Sequence, residues 1–426
     1  MTGDRPVAIR FLHLVQDSPL MDGILARFDE MVAHNRYLFR TEKARYTFRN
    51  ITRRDRVEVF AAADRELARV LADGDTYDVL VLHSLYAVDP DLLSVLPDRV
   101  RVWWISWGYD LYGPHLIDTE LFGERTAALR RELGRNGMGG FFKKGDLRDL
   151  GETLFFHPRP FSLIHERLRK RLARRRETDA ERGTRERTAL HRAIGRITYC
   201  STTLPEEYEL LAPKAFFTPR YIPFNYVTHD LFDAGTVESA PFCDGDGILI
   251  GNSATFENNH ADVLEHLRRA PLPGGRIVVP LSYGDPVYGD RITQLGRELF
   301  GDRFHPVLDF LPFPQYAALL RSCPTALFGH ERQQALGAVL IALWNGSTVF
   351  LSPTSVIYRH LKNLGVDVLS LSDDLPRRTA PTLLPRDTLL ARRRIISREY
   401  SSATRVARMH AAIERIAREI PSTLAQ

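Results

Sequence analysis

The sequence predicts an α/β protein of two domains, each built around a sheet of parallel strands. At 426 residues the chain is longer than one hydrophobic core ordinarily organises, so two domains are expected. Its hydrophobic content of 44% and charged content of 26% are those of a folded globular protein. Short apolar segments alternate with segments of helical period, which is the pattern of a parallel sheet covered by helices.

The first half opens with a strand, a polar turn and a helix, which is how a doubly wound domain begins. The strand covers residues 7–15, the turn 16–19 and the helix about 21–32. The further predicted elements are a helix over 64–72, strands over 77–83 and 101–106, and a short helix ending near 96. The continuous apolar run within 77–83 indicates a strand that is buried on both faces.

The alternation stops between residues 113 and 190, where the chain becomes basic. Residues 161–196 hold twelve Lys and Arg against five Asp and Glu, an excess larger than the net charge of +5 of the whole chain. Residues 161–176 predict a basic amphipathic helix, and we expect the charged run 177–187 to lack regular structure. Such a segment binds an anionic membrane surface or a nucleic acid, or it is a solvated helix face.

A strand over 197–201 and a helix over 205–211 precede a linker rich in Gly and Asp at 234–247. Regular β/α alternation then predicts a Rossmann-like domain. Its strands are predicted at 248–250, 276–279, 304–308, 326–328, 348–351 and 366–369, and its helices at 259–269, 314–322, 337–344 and 354–364. We divide the chain into an N-terminal lobe (1–235), a C-terminal lobe (236–385) and basic C-terminal helices (386–426) that pack back toward the N-terminal lobe.

One stretch of the second half joins a strand, a polar turn and a helix that is apolar nearly all round. The helix begins near Gly337, and the turn holds His330, Glu331, Arg332, Gln333 and Gln334. A helix N-terminus offers unpaired N–H groups and the positive end of a dipole, and Arg332 beside it adds a full charge. The pattern predicts a phosphate site or, alternatively, a surface ion pair between Arg332 and Glu331.

A second anion-binding turn is predicted at Gly251, Asn252 and Ser253, directly after a strand and before a helix. A small residue there lets backbone N–H groups approach an anion, and Asn and Ser add donors. The alternative is a helix cap with no ligand. The chain has neither the dinucleotide fingerprint G-x-G-x-x-G nor a G-x-x-x-x-G-K phosphate loop.

Three polar residues follow predicted strands of the first half: Asp17, His83 and Asp110. Ligands of an open parallel sheet bind at the carboxyl ends of its strands, where such a residue can take a proton from an acceptor hydroxyl. Each also has a structural interpretation. Asp17 fits an Asx turn, His83 a hydrogen-bonded core imidazole and Asp110 a helix cap.

Aromatic residues cluster around the strand at 101–106. Trp103 and Trp104 are expected in the core, whereas Trp107 and Tyr109 can form a wall on which a sugar ring stacks. No metal-ligand spacing or catalytic triad occurs, so we predict no protein metal site.

Cysteine usage and hydropathy predict a cytoplasmic protein, soluble or peripheral to a membrane. The three cysteines share no metal or redox spacing, which indicates buried thiols in a reducing compartment. No apolar run is long enough to span a bilayer, and no secretory signal opens the chain.

Five stretches carry, together and in order, the motifs of one enzyme family. They are WWISWGYDLYG at 103–113, ILIGNSATFENNHADVL at 248–264, RIVVPLSYG at 276–284, FPQYAALLRSC at 313–323 and ERQQALGAVLIALWNG at 331–346. In these stretches the chain resembles the bacterial 4-acetamido-4,6-dideoxygalactosyltransferases, which are 4-alpha-L-fucosyltransferase-like. Those enzymes move the sugar from its TDP derivative to a polyprenyl-diphosphate-linked disaccharide during synthesis of enterobacterial common antigen.

The resemblance implies a GT-B architecture, two Rossmann-like lobes with a cleft between them, and a transferase that needs no cofactor or metal. It implies a nucleotide-sugar donor, TDP-linked, on the C-terminal lobe and a lipid-linked saccharide acceptor on the N-terminal lobe. It also implies peripheral attachment to the inner face of the cell membrane. The matching positions are Trp107, Gly108, Asp110, Tyr112, Gly251, Asn252, Ser253, Pro280, Tyr283, Arg332, Gln333, Gln334 and Gly337, with His83 matching more loosely.

To the donor set we add Glu331, as part of the same turn, and to the acceptor set Tyr109, beside Trp107 and Tyr112. Arg332 and the dipole of its helix would stabilise the charge of the leaving group. Asp17, His83 or Asp110 would be the base of an inverting reaction, whereas a retaining reaction needs none. The chain departs from the family in Glu331, where a small residue is expected, and in its long basic insertion at about 114–190.

Three other functions fit parts of the pattern. A nucleic-acid-binding protein would explain the Arg-rich segment, but the aromatic residues of a single-strand platform are missing there, so we expect no nucleic-acid partner. A non-catalytic nucleotide-sugar-binding protein could use the same fold. A glycosyltransferase that acts on a protein or on another glycan is the nearest alternative.

Overall fold

The computed structural model describes residues 7–18, 20–41, 46–61, 64–85, 90–113, 115–134, 179–224, 230–272, 275–378 and 384–420. The chain divides into two compact units, which we call the first lobe and the second lobe. The first lobe consists of Met1–Ile117, Gly139–Thr228 and Ala407–Gln426, and the second of Asp118–Met138 and His229–Val406.

The first lobe is built on seven parallel strands in the order β3-β2-β1-β4-β5-β6-β7. The strands are β1 (Val7–Val15), β2 (Val32–Thr41), β3 (Val57–Ala61), β4 (Val79–Leu82), β5 (Arg101–Ile105), β6 (Tyr199–Ser201) and β7 (Arg220–Tyr221). Every side chain of β4 is buried, and so are Trp103 and Trp104 of β5, as predicted. Burial on both faces is characteristic of central parallel strands.

The second lobe is built on six parallel strands in the order β10-β9-β8-β11-β12-β13. They are β8 (Ile248–Ile250), β9 (Ile277–Pro280), β10 (Phe304–Val307), β11 (Thr325–Phe328), β12 (Thr348–Leu351) and β13 (Leu369–Ser370). These strands lie close to their predicted positions. Short apolar strands between long amphipathic helices give a strong pattern in this half of the chain.

The helices of the described ranges are numbered in chain order across both lobes. They are α1 (Met21–Met31), α2 (Asp64–Ala72), α3 (Glu124–Glu132), α4 (Asp179–Arg196), α5 (Pro205–Leu211), α6 (His260–Arg269), α7 (Pro286–Phe300), α8 (Phe313–Arg321), α9 (Leu336–Asn345), α10 (Val356–Asn363), α11 (Arg386–Tyr400) and α12 (Ser402–Arg418). Helix α9 is buried along nearly its whole length, as its apolar sequence predicted.

In both sheets the order of the strands reverses next to the first strand of the lobe. In the first lobe the change lies between β1 and β4, and in the second between β8 and β11. Ligands of open α/β sheets bind outside the carboxyl ends of the strands at such a switch point. The turns that begin at Gly251 and Gly329 follow β8 and β11, so they are the ones expected to meet a ligand in the second lobe.

Several predicted elements differ from the structure. Strands β2 and β3 and helix α7 were not predicted, and residues 179–187, expected to lack regular structure, begin helix α4. That helix buries Ala193 and Ile194 near its end. Their packing stabilises the helix and offsets the low intrinsic helical stability of its charged first half. The basic helix predicted at 161–176 lies outside the described residues.

The lobe boundaries also differ from the predicted ones. Residues 118–138 belong to the second lobe, because Asp262 of α6 accepts backbone hydrogen bonds from Arg125 and Thr126 at 2.9 Å each. Helix α11 belongs there too, since buried Arg393 donates to the carbonyl of Trp344 at 2.7 Å. The later part of α12 belongs to the first lobe, where Glu419 accepts from the hydroxyl of Tyr199 at 2.6 Å.

Candidate functional site

The turn after β8 is shaped by Gly251, which no other residue could replace without a clash. Its φ of +64° is the left-handed region that favours glycine. A Cβ at this position would lie 2.5 Å from Oδ1 of Asn258 and 2.7 Å from Nε2 of His260. The backbone therefore passes closely over these two side chains. The N–H of Gly251 donates to the carbonyl of Leu327 at 3.0 Å, so the fold itself uses this group.

Asn258 holds the turn together, and sequence reasoning missed it. Its Oδ1 accepts the N–H of Asn252 at 2.8 Å, and its Nδ2 donates to Ser253 Oγ at 3.1 Å and to Thr255 Oγ1 at 2.9 Å. The side chain of Ser253, predicted to bind the donor, is fully buried and serves this network. The Asn-Asn pair before α6 was the available signal, because Asn favours turns and helix starts.

The turn after β9 is joined to the Gly251 turn. Tyr283 accepts the N–H of Ala254 on its carbonyl at 2.7 Å, and its hydroxyl accepts from Asn252 Nδ2 at 2.7 Å. The Tyr283 side chain is 55% exposed, so its ring is open to a ligand beside the turn. Pro280, also predicted at the donor site, is the buried last residue of β9 and pairs with Val307 in the sheet.

The turn after β11 leads into helix α9 through Ala335, whose φ is +59°. No side chain in the described ranges caps this helix, so its first N–H groups are not taken by a cap. A Cβ added at Gly337, in the first turn, would meet nothing within 4 Å. An uncapped helix N-terminus with open space beside it is a ready anion site.

The Arg332 side chain is mostly buried, with 13% exposed, and lies along its own turn. Its Nη1 donates to the carbonyl of Gln333 at 3.1 Å, and its Nη2 is 3.8 Å from a carboxylate oxygen of Glu257. Glu331 is held elsewhere, by the hydroxyls of Ser352 at 2.7 Å and Thr354 at 2.5 Å. The predicted alternative, an ion pair between Arg332 and Glu331, is therefore not what the structure contains.

Three side chains around these turns leave buried polar atoms unpaired. Both ring nitrogens of His330, Nε2 of His260 and Oε1 of Gln334 have no hydrogen-bond partner among the residues that the structure describes. Burial, together with the charges of Arg332 and His260, lowers the pKa of His330 well below its usual value. Gln334 uses its Nε2 to reach Thr255 Oγ1 at 3.0 Å, which ties the two turns together.

In the first lobe, Asp17 lies at the end of β1 as predicted, but its carboxylate is fully engaged. It accepts the N–H groups of Arg49, Asn50 and Ile51 at 2.7–3.1 Å and the hydroxyl of Tyr46 at 3.0 Å. Burial pushes its pKa up, but these bonds outweigh that effect and hold the pKa below its usual value. Asp17 fixes a loop, and a carboxylate held so strongly in its charged form is a weak base.

Asp110 organises the loop after β5 and is not a helix cap. It is 1% exposed and accepts from Leu85 N at 2.8 Å, Trp104 Nε1 at 2.9 Å and Trp107 N at 2.9 Å. Burial raises its pKa despite these bonds. Of the predicted acceptor residues, Tyr109 is exposed and bonds to Gln16, whereas Tyr112 is buried in the core.

His83 belongs to a buried chain of hydrogen bonds. Asn35 donates its Nδ2 to the carbonyls of Phe28 and Val32, so its Oδ1 accepts from Nε2–H of His13 at 3.1 Å. Nδ1 of His13 is then the acceptor for Nε2–H of His83 at 3.0 Å. His83 is 0% exposed, and burial and the neighbouring His13 hold its pKa well below the usual value. It is a neutral core imidazole with its lone pair on Nδ1.

The described ranges lack two signatures, a metal-ligand cluster and a membrane-spanning helix. Within them no group of three or more His, Cys, Asp or Glu residues is placed to hold a metal ion. Nor does that part of the chain contain a helix long and apolar enough to cross a membrane.

Comparison with known proteins agrees with the fold. Residues 230–388 match the sequence model of the 4-alpha-L-fucosyltransferase family, glycosyl transferase group 56. HepE of Anabaena, solved with UDP and glucose, is 12% identical over 96% of this chain and 100% of its own, with a TM-score of 0.55. A glycosyltransferase of Rickettsia africae is 10% identical over 98% and 99%, with a TM-score of 0.54.

The two structural likenesses concern the fold, and the family match covers most of the second lobe, including the turns after β8, β9 and β11. Two parallel-sheet lobes with this strand order are the elements of the GT-B architecture. The chain is a glycosyltransferase with a GT-B fold.

Proposed function

We propose that the chain transfers a deoxyamino sugar from a nucleoside-diphosphate donor, TDP-linked, to a polyprenyl-diphosphate-linked saccharide in the synthesis of a bacterial surface polysaccharide. The carrying observation is the anion site of the second lobe. Helix α9 begins without a side-chain cap in the described structure, Gly337 leaves space beside its first turn, and Arg332 lies in the turn before it. A diphosphate supplies the negative charge that such a helix end and guanidinium favour.

The donor nucleotide would extend from this anion site along the neighbouring turns. The Gly251 turn follows β8, the strand next to β11, and the exposed ring of Tyr283 beside it offers a stacking surface for a base. The solved structure of HepE contains UDP and glucose, and this supports a nucleotide-sugar donor on a fold of this type. The family match over 230–388 supports a deoxysugar of the fucose type.

In the reaction the bond between the anomeric carbon and the β-phosphate oxygen breaks as an acceptor hydroxyl oxygen bonds to that carbon. Arg332 and the α9 dipole would stabilise the charge that develops on the departing diphosphate. The acceptor hydroxyl loses its proton, and in an inverting reaction we propose that His83, just past the end of β4, takes it. His83→Gln should lower kcat and leave the donor Kd unchanged, and an unaltered kcat would remove this role.

The lipid-linked acceptor is supported by the basic segment at 161–196. Arg185, Arg187 and Arg192 of α4 are exposed, as expected for a helix that meets anionic headgroups. Deletion of residues 161–187 should release the protein from vesicles of anionic phospholipid, whereas neutral vesicles should bind neither form. Undiminished binding of the deleted protein would contradict the membrane contact.

A thermal-shift panel of TDP, UDP, GDP and their sugar conjugates tests the donor. Selective stabilisation by TDP-sugars supports the proposal, and selective stabilisation by UDP- or GDP-sugars keeps the reaction class but changes the donor. Absence of any shift, together with absence of transfer, favours the non-catalytic alternative.

A further inference from the structure

Four of the buried polar atoms that lack a partner in the described part of the second lobe lie around the two turns that we assign to the donor. His260 lies beneath the Gly251 turn, and Gln334 reaches that turn through Thr255. His330 follows Gly329, whose carbonyl accepts from Nδ2 of Asn259 at 2.7 Å, so its backbone is tied to the segment that carries His260. A buried polar atom without a partner is unfavourable, so a cluster of them beside a candidate site indicates a ligand that pairs with them.

His330 stands apart from the other buried histidines of the lobe. His260 bonds to the hydroxyl of Tyr288 at 3.1 Å through Nδ1, and His360 bonds to the hydroxyl of Tyr400 at 2.5 Å through Nε2. His330 is 1% exposed, and in the described ranges neither of its nitrogens has a partner. The fold itself therefore makes no use of its polar atoms.

The chemistry of the two side chains in the turn defines what they can bind. Burial, Arg332 and His260 favour the neutral form of His330, and a neutral imidazole carries one N–H donor and one acceptor nitrogen. Gln334 already donates an amide N–H to Thr255, and its Oε1 has no partner in the described ranges. This oxygen can therefore accept from an O–H or N–H donor of a ligand. Together they suit a ligand with both an anionic oxygen and a hydroxyl or amide.

We propose that His330 is a donor-binding residue, whose ring N–H bonds an oxygen of the sugar nucleotide's diphosphate while Gln334 Oε1 accepts from a hydroxyl or amide N–H of the same molecule. This inference rests on the proposed donor site of the second lobe. It adds a neutral hydrogen-bond donor to the charged Arg332, and it gives Gln334 a role in selecting the donor.

Access to His330 requires the turn to open, because its nitrogens have no exposed surface. Arg332 holds the closed form weakly, through a bond to its neighbour Gln333 and an ion pair of 3.8 Å with Glu257. A diphosphate forms stronger, charge-assisted bonds and draws the guanidinium away. Ala335 within this turn has a left-handed backbone, a conformation that residues with a Cβ rarely adopt.

The test is His330→Phe in the full chain, with TDP-glucose and UDP-glucose as titrants in calorimetry. The ligand-free variant should melt at or above the wild-type temperature, because an apolar ring of similar size replaces unpaired nitrogens. Its Kd should rise about tenfold to a hundredfold, which is the effect of losing one hydrogen bond to a charged group. The matched control, His360→Phe, should show the reverse: a lower melting temperature, since the hydroxyl of Tyr400 loses its partner, and an unchanged Kd.

The outcomes distinguish a failure of this inference from a failure of the proposed function on which it rests. If the wild-type protein binds a sugar nucleotide and the His330→Phe variant binds it with equal affinity, the inference about His330 is overturned and the proposed function is not. Wild-type protein that binds neither sugar nucleotide overturns both. If the Phe variant does not fold, His330→Leu replaces it, and loss of the fold in both variants also overturns the inference, because the fold would then depend on the imidazole itself.

Discussion

The two lobes place polar side chains at the same point of the same kind of sheet but treat them differently. In the first lobe the carboxylates of Asp17 and Asp110 accept four and three hydrogen bonds, mostly from backbone N–H groups. In the second lobe His330 and Gln334 keep buried atoms unpaired within the described structure. The first arrangement builds loops, whereas the second leaves bonding capacity for a ligand.

The contrast teaches that position at a strand end is not enough to assign a role. Asp17 and Asp110 both lie where the rule for open sheets puts them, yet their carboxylates are occupied by their own loops. A carboxylate whose oxygens are bonded in this way fits a structural role, whereas a buried polar side chain without a partner beside an uncapped helix N-terminus is a candidate to bind a ligand. The four predictions below test this difference, from the largest expected effect to the smallest.

Asp110→Ala should lower the free energy of unfolding by about 3 kcal/mol or more, because three buried donors lose their acceptor at once. Donor affinity, which belongs to the second lobe, should not change. Asp98→Ala is the control, since Asp98 is fully exposed and pairs only at the surface with Arg196; its effect should stay within about 0.5 kcal/mol. Denaturant unfolding measures both variants, and equal effects would contradict the structural role of Asp110.

Arg332→Ala should weaken donor binding at least about a hundredfold while the melting temperature of the ligand-free protein stays near the wild-type value. Its present contacts, one carbonyl of its own turn and one long ion pair, contribute little to the fold. Arg394→Ala removes an exposed arginine of the same lobe that pairs with Glu238 and should leave affinity unchanged. Unaltered affinity in Arg332→Ala would refute the phosphate role.

Acid should destabilise both lobes through their buried histidines. The pKa of His13 and of His260 is lowered to about 3 by burial, and an unfolded chain titrates near 6.5. The unfolded state therefore binds more protons between these values, so stability is complete above about pH 6.5 and is lost as the pH falls toward 3. The slope is about 1.4 kcal/mol per pH unit for each histidine. Between pH 6.5 and 5, His330→Phe should show a shallower slope than wild type, and an identical slope would mean that His330 is not buried in its neutral form.

Gly337→Ala should have the smallest effect on the fold, a gain of about 0.5 kcal/mol from helix propensity in open space. Donor affinity should nevertheless fall, because the added methyl group occupies the space assigned to the diphosphate. Gly195→Ala, in α4 of the first lobe, also has open space around its Cβ and should give the gain without the loss. Equal affinities of the two variants would place the diphosphate elsewhere.

Most of the second lobe could be predicted from the sequence, because its short apolar strands and amphipathic helices alternate without interruption. The first lobe was harder. The polar run at His34, Asn35 and Arg36 hid strand β2, where Asn35 is required for the His13 and His83 chain rather than for an apolar face. Helix α7 had an available signal in Asp285, which caps it, followed by Pro286 at its first position.

The candidate site was predicted in part. Gly251, Arg332 and Gly337 could be found because their roles depend on local backbone and charge. The roles of Asn258 and His330 were missed, although Asn258 had a signal in its Asn-Asn pair, since these roles depend on which side chains meet between the loops of two strands. Ser253, Pro280 and Tyr112 matched family motifs, but the structure buries all three, so their motifs reflect the shape of the turns and the core.

Hydrogen–deuterium exchange of the full chain, with and without TDP-glucose, tests the central claim most directly, because it compares the strand-end turns of both lobes in one experiment. The donor site proposed here predicts slower exchange at residues 251–255 and 330–338 when the sugar nucleotide is bound, with unchanged exchange at 16–18 and 106–110. Two results would contradict the proposed donor site: protection confined to the first-lobe turns, or binding that protects neither of the two second-lobe turns.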